Sequence, residues 1–225
     1  MKREFTKFTR IENVREQRKL FVIATEGEKT EKIYFDYLKN TGLLKLNINI
    51  IVLNTKGGRS SPKQVLKRLQ IYNEENNIDT QKDELWLVID RDRGSNSLND
   101  IQEIYKNCKK DNIGFAFSNP CFELWLLIHK QDVSCIDVKE KDLILHNKKQ
   151  SKNGKTYLET KISELFNGYN KKRPNYYRFI PATELAITNA KKLISDVDPV
   201  PDSLATFVYR LVEKIINFQK VKLTN

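Results

Sequence analysis

Two aspartates, one residue apart, follow an apolar run in the middle of the chain. The segment 84–89 is short, mostly apolar and rich in β-branched and aromatic side chains, which is typical of a strand buried on both faces. Asp90 and Asp92 stand at its carboxyl end, the edge where ligands gather in open α/β sheets. Paired carboxylates there supply the oxygen ligands that a hard divalent cation needs. The plain alternative is a turn in which an aspartate caps the next element.

A third carboxylate ends the first predicted strand. That strand covers residues 19–26, with Glu26 at its end and Gly27 making the turn. Neighbouring parallel strands lie about 4.8 Å apart, so Glu26 and Asp90 can share a metal site if they meet at one edge of a sheet. Metals at such a site would polarise a phosphoryl group and generate hydroxide at neutral pH. The pattern therefore predicts a site for Mg²⁺ or Mn²⁺ that acts on phosphodiesters.

Strands and helices alternate four times between residues 19 and 130. This alternation predicts an α/β fold with a mainly parallel four-stranded sheet and helices on both faces. Beyond it the pattern turns helical, and no strand is predicted. We predict an N-terminal arm at 1–18, a catalytic domain at 19–132, and a helical extension packed on it at 133–225. The candidate helices of the extension are 137–148, 156–168, 182–196 and 203–219.

The charge balance favours a polyanionic partner. Forty Lys and Arg oppose 29 Asp and Glu, for a net charge of +11, which is most simply explained by nucleic acid. Scattered lysines that only keep the protein soluble are the alternative. The three cysteines have no paired spacing, which indicates a reduced intracellular protein. No signal peptide or membrane span is visible, so we expect a cytoplasmic protein with no membrane partner. The sequence leaves a homo-oligomer open.

Further carboxylates stand at predicted helix starts. Glu123 lies in the first turn of a helix that Asn119 is predicted to cap, and the helix dipole alone would favour an acid there. Glu123 is thus either a site residue or a helix-start acid. Glu28 and Glu31 are expected to be solvated helix-start acids, with Glu31 the better site candidate of the two. His129 cannot share a helix face with Glu123, and we expect it to be buried or to cap.

Two other segments could contact nucleic acid. The loop at 54–62 is rich in glycine, cations and hydroxyls, and its Lys56 and Arg59 could help to cradle a phosphate at a helix N-terminus. A flexible turn is the equal alternative. Residues 175–179 mix aromatic side chains with a cation and could stack bases. Packing between helices is the more common use of such aromatics.

The same residues resemble a known family. Glu26 after the first strand and the Asp90–Asp92 pair after a later one resemble the TOPRIM domain of topoisomerases, primases and OLD-group nucleases. The segments Thr-Glu-Gly-Glu-Lys-Thr-Glu at 25–31 and Ser-Asn-Pro-Cys-Phe-Glu-Leu-Trp at 118–125 look like the RloB/AbiLii group. The resemblance extends into the C-terminal part, so that it covers most of residues 19–217. The C-terminal segments that carry it are 186–191 and 206–212.

This resemblance implies a metal-dependent nuclease that serves phage defence or abortive infection with a separately encoded ATPase. Glu26 would be the TOPRIM glutamate, acting as general acid/base or metal ligand. Asp90 and Asp92 would be the metal-binding pair, and Glu123 an extra ligand. Arg91, between the aspartates, would meet phosphate or point away.

Arg93 is the one cation that follows the aspartate pair, and it is a further candidate for contact with nucleic acid. The chain is too short to carry primase or topoisomerase modules, which favours hydrolysis over polymerisation. Two other functions remain open. One is a non-catalytic nucleic-acid-binding or adaptor subunit, and the other is a nucleotide-processing phosphotransfer enzyme on the same scaffold. Whether DNA, transfer RNA or another RNA would be cut is left open too.

Overall fold

A five-stranded sheet forms the centre of the molecule. The structure, a computed structural model, describes residues 18–40, 48–53, 55, 60–93, 96–151, 154–171, 173–194 and 198–220. The strand order is β2-β1-β3-β4-β5, with β1 to β4 parallel and β5 antiparallel to β4. The strands are β1 (Lys19–Thr25), β2 (Ile48–Leu53), β3 (Glu84–Asp90), β4 (Gly114–Asn119) and β5 (Ala205–Thr206).

Helices cover both faces of this sheet. On one face α2 and α3 contact each other and the central strands, and on the other α1 contacts β2 and the C-terminal region. Right-handed crossovers explain this arrangement, because the chain moves outward from β1 to β2 and then back across the sheet to β3 and β4. The helices are α1 (Thr30–Asn40), α2 (Pro62–Asn76), α3 (Leu98–Lys110), α4 (Glu123–Leu127), α5 (Val138–His146), α6 (Tyr157–Leu165), α7 (Thr183–Leu193) and α8 (Val208–Lys220).

The central strands are buried on both faces. Phe21 to Ala24 of β1 and Leu87 to Ile89 of β3 are almost fully excluded from solvent, which explains their continuous apolar sequences. The predicted mainly parallel α/β class is confirmed. No described helix is long and apolar enough to cross a membrane.

The sheet differs from the prediction at its edge. A helix was predicted over 203–219, but Ala205 and Thr206 form β5 and α8 begins only at Val208. The two hydroxyls of Ser118 and Thr206 lie 3.0 Å apart across the β4–β5 pair. A strand of two residues is too short to show any alternation of apolar and polar positions, so the sequence could not indicate it.

The C-terminal region shares its hydrophobic core with the sheet. Tyr34 of α1 is surrounded by aromatic rings from both parts, including Phe122, Trp125 and Tyr176 at centroid distances of 5.4–6.3 Å. The Tyr176 hydroxyl donates to the carbonyl of Thr30 over 3.0 Å. Tyr176 is therefore a packing residue and not a base-stacking one. The boundary at 132–133 stays a prediction.

Gly114 gives a test of the packing on β4. A Cβ built at this position would lie 2.4 Å from Cδ2 of Trp86, so the indole lies flat on the glycine backbone. We expect Gly114→Val to destabilise the fold by about 1–3 kcal/mol through overpacking, measured by urea denaturation. Adding Trp86→Leu should recover part of that loss, because the two residues are in contact. Simple addition of the two losses would contradict the packing described.

Candidate active site

The register of β1 against β3 brings two acids together. Thr25 pairs with Val88, so Glu26 follows directly after β1 while Asp90 is the last residue of its neighbour β3. The backbone N–H of Asp90 donates to Oε2 of Glu26 over 3.2 Å. The side chains of the two residues line the same pocket at the carboxyl edge of the sheet. This is the meeting of strand ends that the sequence predicted.

Glu123 reaches the same place from the next strand. It begins the short helix α4 after β4, and only 2% of its side chain is exposed. Its Oε1 lies 2.8 Å from Nζ of Lys171, which comes from the loop after α6. The predicted cap of this helix was wrong. Asn119 belongs to β4, and its amide donates to the carbonyl of Pro201.

Glu31 is a fourth acid of the site, and the expectation that it is solvated was wrong. It lies in the first turn of α1 and is 5% exposed, whereas Glu28 is exposed at the rim. Its carboxylate lies over Gly27, where a built Cβ would come within 1.9 Å of Oε2. The sequence signal was the glycine four residues before the acid, since only glycine leaves that space open.

Asp92 lies at the rim and not at the floor of the pocket. It is exposed and has a left-handed backbone with φ of 34°. Its charge nevertheless acts on Glu26. The structure thus collects the predicted acids around one pocket, with Glu123 buried, Asp90 partly buried and Asp92 exposed at the entrance.

Burial and mutual repulsion disfavour the charged forms of these acids. Burial raises the pKa of Glu26 to about 7, with Glu31 and Asp92 adding to the rise and the N–H of Asp90 opposing it. Burial, and next the charge of Glu123, raise the pKa of Glu31 to about 7. The pKa of Asp90 is raised well above its ordinary range by burial and by the other acids. A cation bound among them would relieve this repulsion.

Lys171 is a cation already beside these acids. Burial lowers the pKa of its ammonium group, but the adjacent Glu123 outweighs burial and the net shift is upward. The lysine therefore stays charged, and it also partly offsets the repulsion on Glu31 and Asp90. About half of its side chain remains exposed, so it can move without opening the core.

The acids line a pocket of about 750 Å³. One wall comes from the turn after β1, with Glu28 and Lys29. The opposite wall comes from the C-terminal region, where His146 and Asn147 end α5 and Thr156 precedes α6. The site is thus built by the sheet and the extension together.

The chemistry of the donors fits a hard divalent cation. Carboxylate oxygens are the ligands that Mg²⁺ and Mn²⁺ prefer. Burial raises the pKa of the Cys121 thiol, which lines the pocket, so this group stays a poor ligand. Among the described residues, no three acidic, histidine or cysteine side chains already surround one point. Metal binding would therefore require the carboxylates to turn inward.

The remaining candidate residues stand apart from the cluster of acids. His129 is fully buried, its Nδ1 lies 2.8 Å from the carbonyl oxygen of Trp125, and burial lowers its pKa to about 4. Arg91 is buried and does not line the pocket. Arg93 lines the pocket, where it pairs with Oδ1 of Asp202 at 2.7 Å.

The predicted phosphate-binding cations Lys56 and Arg59 lie outside the described residues. Ser60, immediately after them, lines the pocket.

Gly27→Ala tests the placement of Glu31. The added methyl group would occupy the space of the Glu31 carboxylate, which must then move away from the other acids. Mutation of the groups that support a metal site commonly lowers metal affinity or activity by about 10- to 100-fold. We therefore expect metal-dependent activity to fall by a factor in that range. The melting temperature should change little, because the new methyl group displaces only the end of the Glu31 side chain and no backbone atoms. Wild-type activity in this variant would remove Glu31 from the site.

A family model described as RloB-like protein matches residues 21–215. The match therefore covers the sheet from Phe21 of β1 onward, the acid pocket and the extension as far as the middle of α8. No curated protein and no solved structure matches the chain.

Proposed function

The chain belongs to the RloB-like family, and on that premise we propose that it is a TOPRIM-type, metal-dependent nuclease. The observation that carries the proposal is the convergence of Glu26, Glu31, Asp90 and Glu123 on one pocket at the carboxyl edge of a parallel sheet. Buried like charges are costly, so a protein keeps them where a cation or a reaction uses them. The net charge of +11 supports a polyanionic substrate.

The acids would hold Mg²⁺ or Mn²⁺, with Asp92 completing the set from the rim. A metal bound there would polarise the phosphoryl group and supply a hydroxide nucleophile. The oxygen ligands stand at the ends of β1 and β3 and at the starts of α1 and α4. Because these are separate elements of one packed fold, they can hold a fixed arrangement once a cation is present. Glu123 would exchange its ion pair with Lys171 for that cation.

Glu26 is the candidate for proton transfer. Its pKa of about 7 places it where a general acid or base works best at neutral pH. Its Oε2 is oriented by the N–H of Asp90, which fixes the carboxylate relative to the floor of the pocket. The positive charges of Lys171, whose side chain is about half exposed, and of the rim residue Lys29 would attract the phosphates of the substrate.

We further propose that this nuclease is a cytoplasmic effector of phage defence that works with a separately encoded ATPase. This part rests on the resemblance of the sequence segments 25–31 and 118–125. Co-expression with the ATPase encoded beside it should change cleavage or cell survival during phage infection. Equal results with and without that ATPase would remove the partner from the proposal.

Incubation of the purified protein with DNA, total RNA and free nucleotides tests the function. Each substrate is offered with Mg²⁺, Mn²⁺ or EDTA, both alone and with the ATPase. Cleavage of a polymer that EDTA abolishes would support the nuclease. Turnover of free nucleotides alone would indicate a phosphotransfer enzyme. Nucleic-acid binding without turnover in all conditions would indicate an adaptor subunit.

A further inference from the structure

A second, smaller groove adjoins the acid pocket. It has a volume of about 290 Å³ and lies against the hairpin that joins α5 to α6. His146 lines both the groove and the acid pocket, so the two spaces lie next to each other at this residue. A chain-like ligand lying across His146 would occupy both at once.

The hairpin is held in place on the body of the protein. Lys149 and Thr156 form an antiparallel bridge, and the N–H of Tyr157 donates to the carbonyl of Lys148 over 3.1 Å. Asn147 connects the hairpin both to α6 and to the segment before α4. It accepts from the N–H of Leu158 at 2.9 Å, and its amide lies 3.4 Å from Sγ of Cys121. The groove is therefore a built surface next to α4.

The side chains of the groove suit a single strand of nucleic acid. Tyr157 offers a half-buried ring, and Lys148 and Gln150 offer an exposed cation and an exposed amide. The imidazole of His146 is about half exposed, with Nδ1 3.1 Å from Oδ1 of Asp142. Aromatic rings that stack bases, beside cations that contact phosphates, are the common basis of single-strand binding.

The burial of the acids also favours a single-stranded substrate. Glu123 and Glu31 are only 2% and 5% exposed, so a phosphate must enter the pocket to approach them. A pocket of about 750 Å³ is within the range of roughly 300–1,000 Å³ that takes a small molecule. A paired duplex holds its phosphates on a wide, stiff rod, whereas an unpaired strand can splay its bases and insert its backbone.

We propose that this groove is a subsite for the nucleotide next to the scissile phosphate, and that the substrate is single-stranded nucleic acid or a single-stranded loop. The base stacks on Tyr157 and His146, and Lys148 contacts the flanking phosphate. The assignment of a scissile phosphate rests on the proposed nuclease function. The recognition of a single strand rests on the groove itself.

Binding without metal tests this proposal separately from cleavage. Fluorescence anisotropy in EDTA would compare labelled 12-nucleotide single-stranded RNA, single-stranded DNA and a blunt duplex of the same sequence. The wild-type protein should bind at least one single strand about 10-fold more tightly than the duplex. Tyr157→Ala should weaken that binding about 5- to 100-fold, the range expected for one lost stacking contact.

Two control variants show whether a loss of binding comes from the aromatic ring of Tyr157 or from a general effect of removing a tyrosine from the extension. Tyr177→Ala removes a tyrosine of the extension that is 66% exposed, packs on Tyr37 and lines neither the groove nor the acid pocket, so this variant should bind like the wild type. Tyr157→Phe keeps the ring and should restore binding. Equal binding of duplex and single strand, or equal affinity in Tyr157→Ala and Tyr177→Ala, would overturn the proposal. A failure to cleave would count against the nuclease and not against the subsite, because the binding assay uses no metal.

Discussion

Asp90→Asn should make the metal-free protein more stable while it removes metal-dependent cleavage. Asp90 is partly buried, and this burial together with the charges of Glu31, Glu26 and Glu123 raises its pKa. Its charged form is therefore unfavourable in the folded state, and the neutral amide of similar shape removes that repulsion. We expect the melting temperature in EDTA at pH 8 to rise by about 2–6 °C.

The same substitution should lower metal-dependent cleavage by more than about 100-fold, because even outer-shell partners of metal ligands are worth about 10- to 100-fold. Asp36→Asn is the matched control. It alters an aspartate of α1 that pairs with Lys32 outside the pocket, and it should leave activity unchanged. A lower melting temperature for Asp90→Asn in EDTA would show that the aspartate is structural. Retained cleavage would show that it is not a ligand.

Raising the pH should destabilise the metal-free protein, and Mg²⁺ should oppose that loss. Glu26 and Glu31 have folded-state pKa values of about 7, above the ordinary value of 4.5. The folded state therefore holds protons that the unfolded state releases. The stability from these groups is complete below about pH 4.5 and is lost as the pH rises through 7.

Melting curves at pH 5, 6, 7 and 8 would measure this effect, with EDTA or with Mg²⁺. In EDTA we expect the acid cluster to lower the melting temperature by at least about 5 °C between pH 5 and pH 8. The increase in melting temperature that Mg²⁺ produces should become larger from pH 5 to pH 8, because only the carboxylate forms of the acids bind the ion. The cleavage rate should rise in parallel.

An Asp90→Asn/Glu31→Gln double variant isolates the contribution of the cluster from that of other titrating groups. Its stability should depend less on pH than that of the wild type, and Mg²⁺ should add little to it. If both proteins show the same pH dependence, the acids are not the source of it. A larger Mg²⁺ effect at pH 5 than at pH 8 would contradict the binding of the ion by carboxylates.

The apolar strands and their acidic ends were visible in the sequence for a physical reason. A parallel strand buried on both faces needs an unbroken apolar run, and β1 and β3 both have one. Glu26 and Asp90 then had to lie at one edge of the sheet if these strands were neighbours. Their meeting required no information beyond the strand ends and the parallel topology.

Other parts of the site depend on packing between distant segments. Lys171 pairs with Glu123 across 48 positions of the chain, and no local pattern relates the two. Glu31 looked like a helix-start acid because its burial results from the fit of α1 against Gly27 and the extension. The edge strand β5 was missed because two residues carry no periodicity. The pocket wall formed by His146, Asn147 and Thr156 likewise exists only where the extension packs against the sheet domain.

Cleavage assays on the wild type and on Asp90→Asn, in one experiment, test the central claim most directly. Both proteins, with and without the proposed ATPase partner, receive end-labelled single-stranded RNA and DNA in Mg²⁺, Mn²⁺ or EDTA. We predict cleavage by the wild type in a divalent metal, none in EDTA, and none by the variant. Cleavage that persists in the variant or in EDTA would contradict the claim that the acid pocket is the metal-dependent nuclease centre.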